Sequence, residues 1–224
     1  MSFFPFGLKQ PGEYPLQAWK GSRSYLRRMN LNHTLRSLVL GMPRMLRGRP
    51  GERAGEERLA QYRLDSSLVA PLVVMSPAFV KGRDIPVHYT ADGAGLSPPL
   101  RWGAGPAGTQ SFVVWMEDPD APTPEPFVHW LVADLDAGRD SLPEGIPAQG
   151  TDVAVQGRNS FLRVGYTGCA PPWGDIPHRY HLQVLALDRR LELEPGFGRQ
   201  QLLRAVQGHV LAFGETVGVY ARPG

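Results

Sequence analysis

From about Leu68 onward the chain is written in short apolar runs broken by Pro and Gly, the pattern of an all-β domain rather than of strands alternating with long helices. The pattern predicts strands at Leu72–Ser76, Ile85–Tyr89, Ser111–Met116, Val128–Asp134, Tyr180–Leu187 and Thr216–Ala221. The run SFVVWM is apolar on both parities, as a central strand covered on both faces must be. The run HRYHLQVLALD alternates instead: His178, Tyr180, Leu182, Val184 and Ala186 share one face and Arg179, His181 and Gln183 the other, so His178 and Tyr180 are expected inward. The same counting puts His129 on one face with Phe127, Leu131 and Ala133. One body helix is predicted, Arg199–Gln207, with Leu202, Leu203 and Val206 as its buried stripe and Gly208 as its stop.

Residues 1–67 follow a different pattern and are read as a basic extension ahead of a body at 68–224. Leu31, Leu35, Leu38 and Met42 recur at helical spacing, which predicts a short amphipathic helix at about Asn32–Met42, capped by Asn30 or Asn32 and stopped by Pro43. The stretch GRPGERAGEERLAQ, Gly48 to Gln61, reads as a charged linker.

The charge distribution sharpens this division. The chain's net charge is +3, but residues 1–67 carry 12 Lys and Arg against 5 Asp and Glu, and the remaining 157 residues carry 12 against 16. Between Tyr14 and Gly51 eight basic residues meet no acidic one. Residues 20–49 therefore suit either contact with an anionic surface or polyanion, or docking on the acidic body. No specific nucleic-acid reader is expected. The composition, 42% hydrophobic and 20% charged over 224 residues, excludes a disordered tail, a collagen or a coiled coil as a whole-chain reading. The single cysteine, Cys169, favours a reducing, cytoplasmic setting, and is read as a small buried filler. No window holds 18 uninterrupted apolar residues, and MSFFPFGLKQPG does not read as a secretory signal.

Candidate chemistry concentrates in MEDPDAP (116–122), FVHWLV (127–132) and GCAPPWGDIPHRY (168–180). Each segment adjoins a predicted strand, so Asp118, Asp120, His129 and His178 are expected at one rim. Pro119, Pro122, Pro171, Pro172 and Pro177 stiffen that rim, which predicts a preformed pocket. Two Asp and two His could also hold a divalent metal for a metal-dependent hydrolase, although no HExxH or CxxC spacing accompanies them.

The succession SPAF, DGAGLSPPLRW, DPDAP, HW, LPEG, QGRN, GY, PPxGxxPHRY, ALD and GH resembles the phosphatidylethanolamine-binding proteins, in their bacterial, Raf-kinase-inhibitor-like (YbhB/YbcL-type) branch. The likeness spans about Val73 to Arg222. It implies a mainly β fold with a large central antiparallel sheet, a second smaller sheet and a few peripheral helices. It also implies a non-enzymatic anion pocket, built from Asp118, Asp120, Pro122, His129, Pro172, His178 and Tyr180 with Phe127 near the wall, and a cis Ala121–Pro122 bond. The ligand class implied is phosphate or a phospholipid head group, without a cofactor, and some members act on a kinase or protease partner; a homodimer is left open. Ile176 and Gly95 depart from the branch's usual glycine and asparagine, and Ile176 is expected either to narrow the pocket mouth or to alter the backbone path there.

The matched residues include no Lys or Arg except Arg179, whose parity faces away. Anion affinity is therefore expected to come from imidazole N–H groups, the Tyr180 hydroxyl and a nest of backbone N–H groups in Gly168–Gly174. Such binding should strengthen as pH falls through the histidine range.

Overall fold

The computed structural model describes residues 53–64, 69–149 and 154–224. The helix predicted at Asn32–Met42 and the basic segment 20–49 lie outside them. The described strands are β1 (Ala70–Pro71), β2 (Val74–Met75), β3 (Leu100–Trp102), β4 (Ser111–Asp118), β5 (Phe127–Asp136), β6 (Ser141–Leu142), β7 (Val155–Gln156), β8 (His178–Leu187) and β9 (Val210–Tyr220). Among the described residues one α-helix, α1 (Arg199–Val206), precedes β9.

Six strands form the larger sheet in the order β1-β9-β8-β4-β5-β7, and β2-β3-β6 form the smaller one. The expected antiparallel sheet is mixed at one edge, because β1 runs parallel to β9 while the other pairs are antiparallel. Strand β4 lies between β8 and β5 with all its residues buried, as an apolar run on both parities requires.

The larger sheet is covered on both faces. Phe112, Val114, Met116, Trp130, Tyr180, Leu182 and Val184 pack with Val74, Leu100 and Trp102 of the smaller sheet. On the opposite face, Val113, Trp115, Leu131 and Leu185 pack with Leu202 and Val206 of α1 and with Ala60. Burial of these two layers is the main source of stability, at roughly 25 cal/mol per Å² of apolar surface removed from water.

Three predicted elements come out differently. Leu72–Ser76 is shortened to Val74–Met75 in the smaller sheet, and a separate strand, Ala70–Pro71, precedes it in the larger sheet, so the chain crosses between layers at Leu72–Val73. Gly214 makes the crossing possible, since a Cβ there would lie 1.8 Å from the Leu72 carbonyl oxygen. Ile85–Tyr89 is not a strand. Ile85 donates its N–H to Val219, but Pro86 has no N–H to continue a ladder and Val87–Tyr89 wind into a 3-10 turn.

The third difference is the stretch read as a linker. Residues 56–58 and 60–63 form 3-10 turns, and Leu59 and Ala60 are wholly buried. The Ala60 N–H donates to Glu117 Oε2 at 2.9 Å, the Gln61 N–H donates to Gln183 Oε1 at 3.1 Å, and Arg199 Nη2 donates to the Arg58 carbonyl at 2.6 Å. Charge and glycine content suggested solvent exposure, but residues 53–64 are part of the body.

Candidate functional site

The end of β4 and the starts of β5 and β8 meet at one end of the larger sheet: Asp118 pairs with Phe127, and Glu117 with both Val128 and His181. This brings Asp118, His129, His178 and Tyr180 together, and all four are buried. His178 Nδ1 donates to Asp118 Oδ2 at 2.7 Å. The His129 ring meets Tyr180 edge-on at 5.1 Å and Phe127 at 4.8 Å, while His178 stacks beside Tyr180 at 6.5 Å.

His178 and Tyr180 face inward as alternation predicts, but His129 does not keep company with Leu131 and Ala133. The β4–β5 register jumps from Met116–Trp130 to Glu117–Val128, leaving His129 as an extra residue on β5. That bulge turns His129 toward Tyr180, on the side of Trp130, while Leu131 and Ala133 pack on the α1 face. His129 Nδ1 donates to the Thr167 carbonyl at 2.8 Å, which leaves Nε2 as the acceptor of the neutral ring.

The turn after β4 is organised by Asp118. Its Oδ1 accepts the N–H of Asp120 at 2.8 Å and of Ala121 at 3.1 Å, an Asx-type turn across Pro119. No cis peptide bond occurs among the described residues, so the expected cis Ala121–Pro122 bond is corrected to trans. The carboxylate closes the reversal that a cis bond was expected to make. Half-buried Pro122 ends this turn. Asp120 braces it from the other side, accepting Arg179 Nε at 2.8 Å, Arg179 Nη2 at 2.7 Å and the Arg179 N–H at 2.9 Å.

Pro172 opens a turn in which Gly174, with φ at +70°, takes the left-handed position and the Asp175 N–H returns to the Pro172 carbonyl at 3.2 Å. The turn delivers Asp175 across His178: Asp175 Oδ2 lies 3.4 Å from His178 Nε2, and the Asp175 side chain is only 3% exposed. Two residues that sequence reasoning left out complete the arrangement. Arg53 Nη2 donates to Asp175 Oδ1 at 2.7 Å, and its Nη1 donates to the Asp120 carbonyl. Arg222, forked onto Asp92 with two 2.7 Å bonds, donates to the Pro171 carbonyl at 3.3 Å and lies over Trp173.

The expected pocket is thus closed over by a side chain. Two open clefts lie elsewhere, one at Asp188, Arg190 and His209 and one at Tyr62, Leu64 and Phe213. The backbone nest expected in Gly168–Gly174 is depleted, because Pro171 and Pro172 have no N–H and that of Gly174 is spent on the Arg222 carbonyl. Ile176 points outward, 53% exposed, and does not narrow the cluster, and Gly95 takes the left-handed φ of +66° that asparagine also tolerates. Cys169 is fully buried and burial pushes its thiol well above the ordinary range, which suits the filler role.

The two histidines are driven in opposite directions. Burial works against charge on His178, but the hydrogen bonds and charges of Asp118 and Asp175 outweigh it and raise its pKa above the ordinary 6.5. For His129 burial dominates over the Asp118 charge and the Thr167 bond, and its pKa is lowered. His178 therefore holds its proton to higher pH than an ordinary imidazole, and His129 gives its proton up at lower pH. Burial pushes the Asp175 carboxyl up, but its bonds from Ile176, Arg53 and His178 outweigh it and hold the group below the ordinary carboxylate value. Burial raises that of Asp120. The Tyr180 hydroxyl is held as the phenol by burial and, among the described residues, has no hydrogen-bond partner.

Two packed sheets thus carry a buried polar cluster at their strand ends. The phosphatidylethanolamine-binding protein profile matches residues 75–221. A UPF0098 protein of Pyrococcus abyssi is 41% identical over 155 residues, 67% of this chain and 86% of its own. The crystal structure of YbcL from E. coli, a member of the mammalian PEBP family, superposes with a TM-score of 0.64 at 32% identity, covering 68% of this chain and 99% of its own. That of a PEBP homologue from Chlamydia trachomatis superposes with a TM-score of 0.62 at 38% identity, covering 67% and 97%. The chain belongs to the phosphatidylethanolamine-binding protein family, in its YbcL-like bacterial branch. No helix among the described residues is long and apolar enough to cross a membrane.

Proposed function

We propose that this protein is a non-enzymatic receptor for a small oxyanion, phosphate or a phosphate-bearing head group, held between His178, Tyr180 and the turn of Asp118–Pro122. The observation that carries this reading is the environment of His178, a buried ring with a carboxylate opposite each nitrogen. Two facing carboxylates favour the imidazolium form of such a ring, and a positive charge set beside a buried hydroxyl with no partner among the described residues is a recognition element for an anion. His129 adds an acceptor suited to a phosphate P–OH or a head-group ammonium.

A metal-dependent hydrolase is supported less well. Both nitrogens of His178 already face carboxylates and His129 Nδ1 is spent on Thr167, so of four imidazole nitrogens one remains to ligate. Regulation of a kinase or protease partner would be a property of the liganded surface. A cytoplasmic location accords with a lone buried thiol.

Calorimetric titration of the full chain with inorganic phosphate, phosphoethanolamine and glycerophosphoethanolamine tests the reading. Saturable one-site binding is expected, weakening as pH rises above 6.5 toward the raised value of His178. His178→Ala should lose at least tenfold in affinity with its melting transition retained. Binding to none of the three, or binding indifferent to His178→Ala, overturns it.

A further inference from the structure

Arg53 lies outside the family-matched residues 75–221, in a stretch whose composition reads as linker, yet its guanidinium enters the cluster. It is 23% exposed and bonded both to the Asp120 carbonyl and to Asp175. Asp175 in turn spends one carboxylate oxygen on Arg53 and sets the other against His178. One carboxylate thus bridges two cations through two oxygens on one atom, the geometry with which any phosphate or carboxylate would bridge the same pair. The two contacts are unequal. The Arg53 bond is 2.7 Å, whereas His178 Nε2 is 3.4 Å away, beyond a good N–H···O distance, so Asp175 neutralises His178 without satisfying it.

The segment is fixed well enough to serve as a wall. The Gly55 N–H donates to the Pro119 carbonyl at 3.2 Å, Glu56 pairs with Arg179, and Leu59 and Ala60 are fully buried behind it. Asp175 sits on a turn whose neighbours Trp173 and Ile176 are exposed, at 40% and 53%. Of the two partners, Asp175 is on the piece with the more exposed neighbours, Trp173, Gly174, Ile176 and Pro177, whereas Arg53 is followed by buried Ala54.

We propose that Arg53 is a ligand-binding residue of this pocket and that Asp175 is an internal stand-in for the oxyanion: ligand oxygens displace the Asp175 carboxylate and take over Arg53 and His178. The inference rests on the oxyanion reading above and names a recognition residue supplied from outside the matched domain. The forked guanidinium gives the site the strong cation that Arg179, committed to Asp120, does not provide. The selected chemistry is an oxyanion with at least two free oxygens, which inorganic phosphate, a monoester and a head-group diester all carry; the higher negative charge of phosphate or a monoester should make it preferred to a diester between two cations.

The test uses the full chain with inorganic phosphate as probe and glycerophosphoethanolamine as the diester arm, on Arg53→Gln, Arg53→Lys, Asp175→Asn and the double variant Arg53→Gln/Asp175→Asn, each checked by its melting transition. Asp175→Asn should raise phosphate affinity severalfold, because the internal competitor is gone. Arg53→Gln should lower it about tenfold, Arg53→Lys should fall between, and the double variant should bind more weakly than Asp175→Asn alone. If Arg53 merely holds Asp175 in place, Arg53→Gln will bind as well as the parent or better, and the double variant will match Asp175→Asn; that result overturns the inference while His178→Ala still abolishes binding. Absence of phosphate binding in the parent, in Asp175→Asn and in His178→Ala alike overturns the oxyanion reading and this inference with it. A parent that prefers the diester to phosphate overturns the pairing of ligand charge with Arg53 and His178 as the basis of selection.

Discussion

His178 Nδ1 and Asp118 Oδ2 are 2.7 Å apart inside the fold, and the other oxygen of the same carboxylate closes the turn that carries Asp120 and Ala121. One side chain therefore sets both the charge of the ring and the shape of the rim. A carboxylate close to an anion site would repel the ligand on its own. Tied to His178, it instead maintains the imidazolium that attracts it.

Replacing Asp118 by Asn separates those duties. The Asn oxygen can still accept the two backbone N–H groups, but the negative charge opposite Nδ1 is lost. Burial then governs His178, and its titration, followed by the imidazole proton resonances, should move below its position in the parent. At neutral pH phosphate affinity should fall about tenfold, near 1.4 kcal/mol. An unmoved His178 titration would mean that Asp175 alone holds the proton.

Stability should peak close to the ordinary histidine value of 6.5, because the two site histidines bend the curve in opposite directions. His178, raised in the fold, contributes stability that is complete below 6.5 and is lost as pH rises through its higher native value. His129, lowered in the fold, contributes stability that is present above 6.5 and is lost as pH falls through its lower native value. Denaturant unfolding between about pH 5.5 and 8 on the parent and on His178→Asn checks this. The variant should lose the falling limb above 6.5 and keep the one below.

Much of this site was legible in the sequence, and the misses have definite physical causes. Two-residue periodicity placed His178 and Tyr180 correctly because β8 is regular at its start, its register with β9 unbroken from His178 to Ala186. It misplaced His129 because a bulge inserts one residue without changing the local alternation of apolar and polar types. Ile85, Val87 and Tyr89 alternate like a strand, and only Pro86 argues otherwise. Arg53 and Asp175 are 122 positions apart and meet only through the tertiary fold, so no window contains their pairing. The remaining signal was weak: Leu59 and Ala60 interrupt a charged run, as residues anchoring it to a core would.

The anchoring of that run depends on Glu117, a fully buried carboxylate on β4 that accepts Arg199 Nε at 2.6 Å, the Ala60 N–H at 2.9 Å and Gln183 Nε2 at 3.2 Å. Arg199→Met removes the paired charge but leaves the carboxylate, and should cost about 3–5 kcal/mol. Glu117→Gln, which keeps an acceptor and needs no counter-charge, should cost less. Because Arg199 also holds the Arg58 carbonyl, Arg199→Met should speed tryptic cleavage at Arg58 and Arg63 more than cleavage elsewhere in the body. Uniform acceleration would show that the segment unfolds only with the whole domain.

Tyr180 offers a trade between stability and binding. Its ring is packed against His129 and His178 and its hydroxyl is buried without a partner among the described residues. An unsatisfied buried hydroxyl costs about 1–3 kcal/mol, a penalty that Tyr180→Phe relieves without opening a cavity. The variant should therefore be as stable as the parent or more so, by up to that amount, in denaturant unfolding. If the hydroxyl is kept to donate to a ligand oxygen, the same change should weaken phosphate binding by about tenfold to a hundredfold, the worth of one hydrogen bond to a charged group. Phosphate should then stabilise the parent against unfolding more than it stabilises Tyr180→Phe, so the gap between them narrows as phosphate is added. Equal stabilisation of both by phosphate would assign the hydroxyl to the core and remove it from the site.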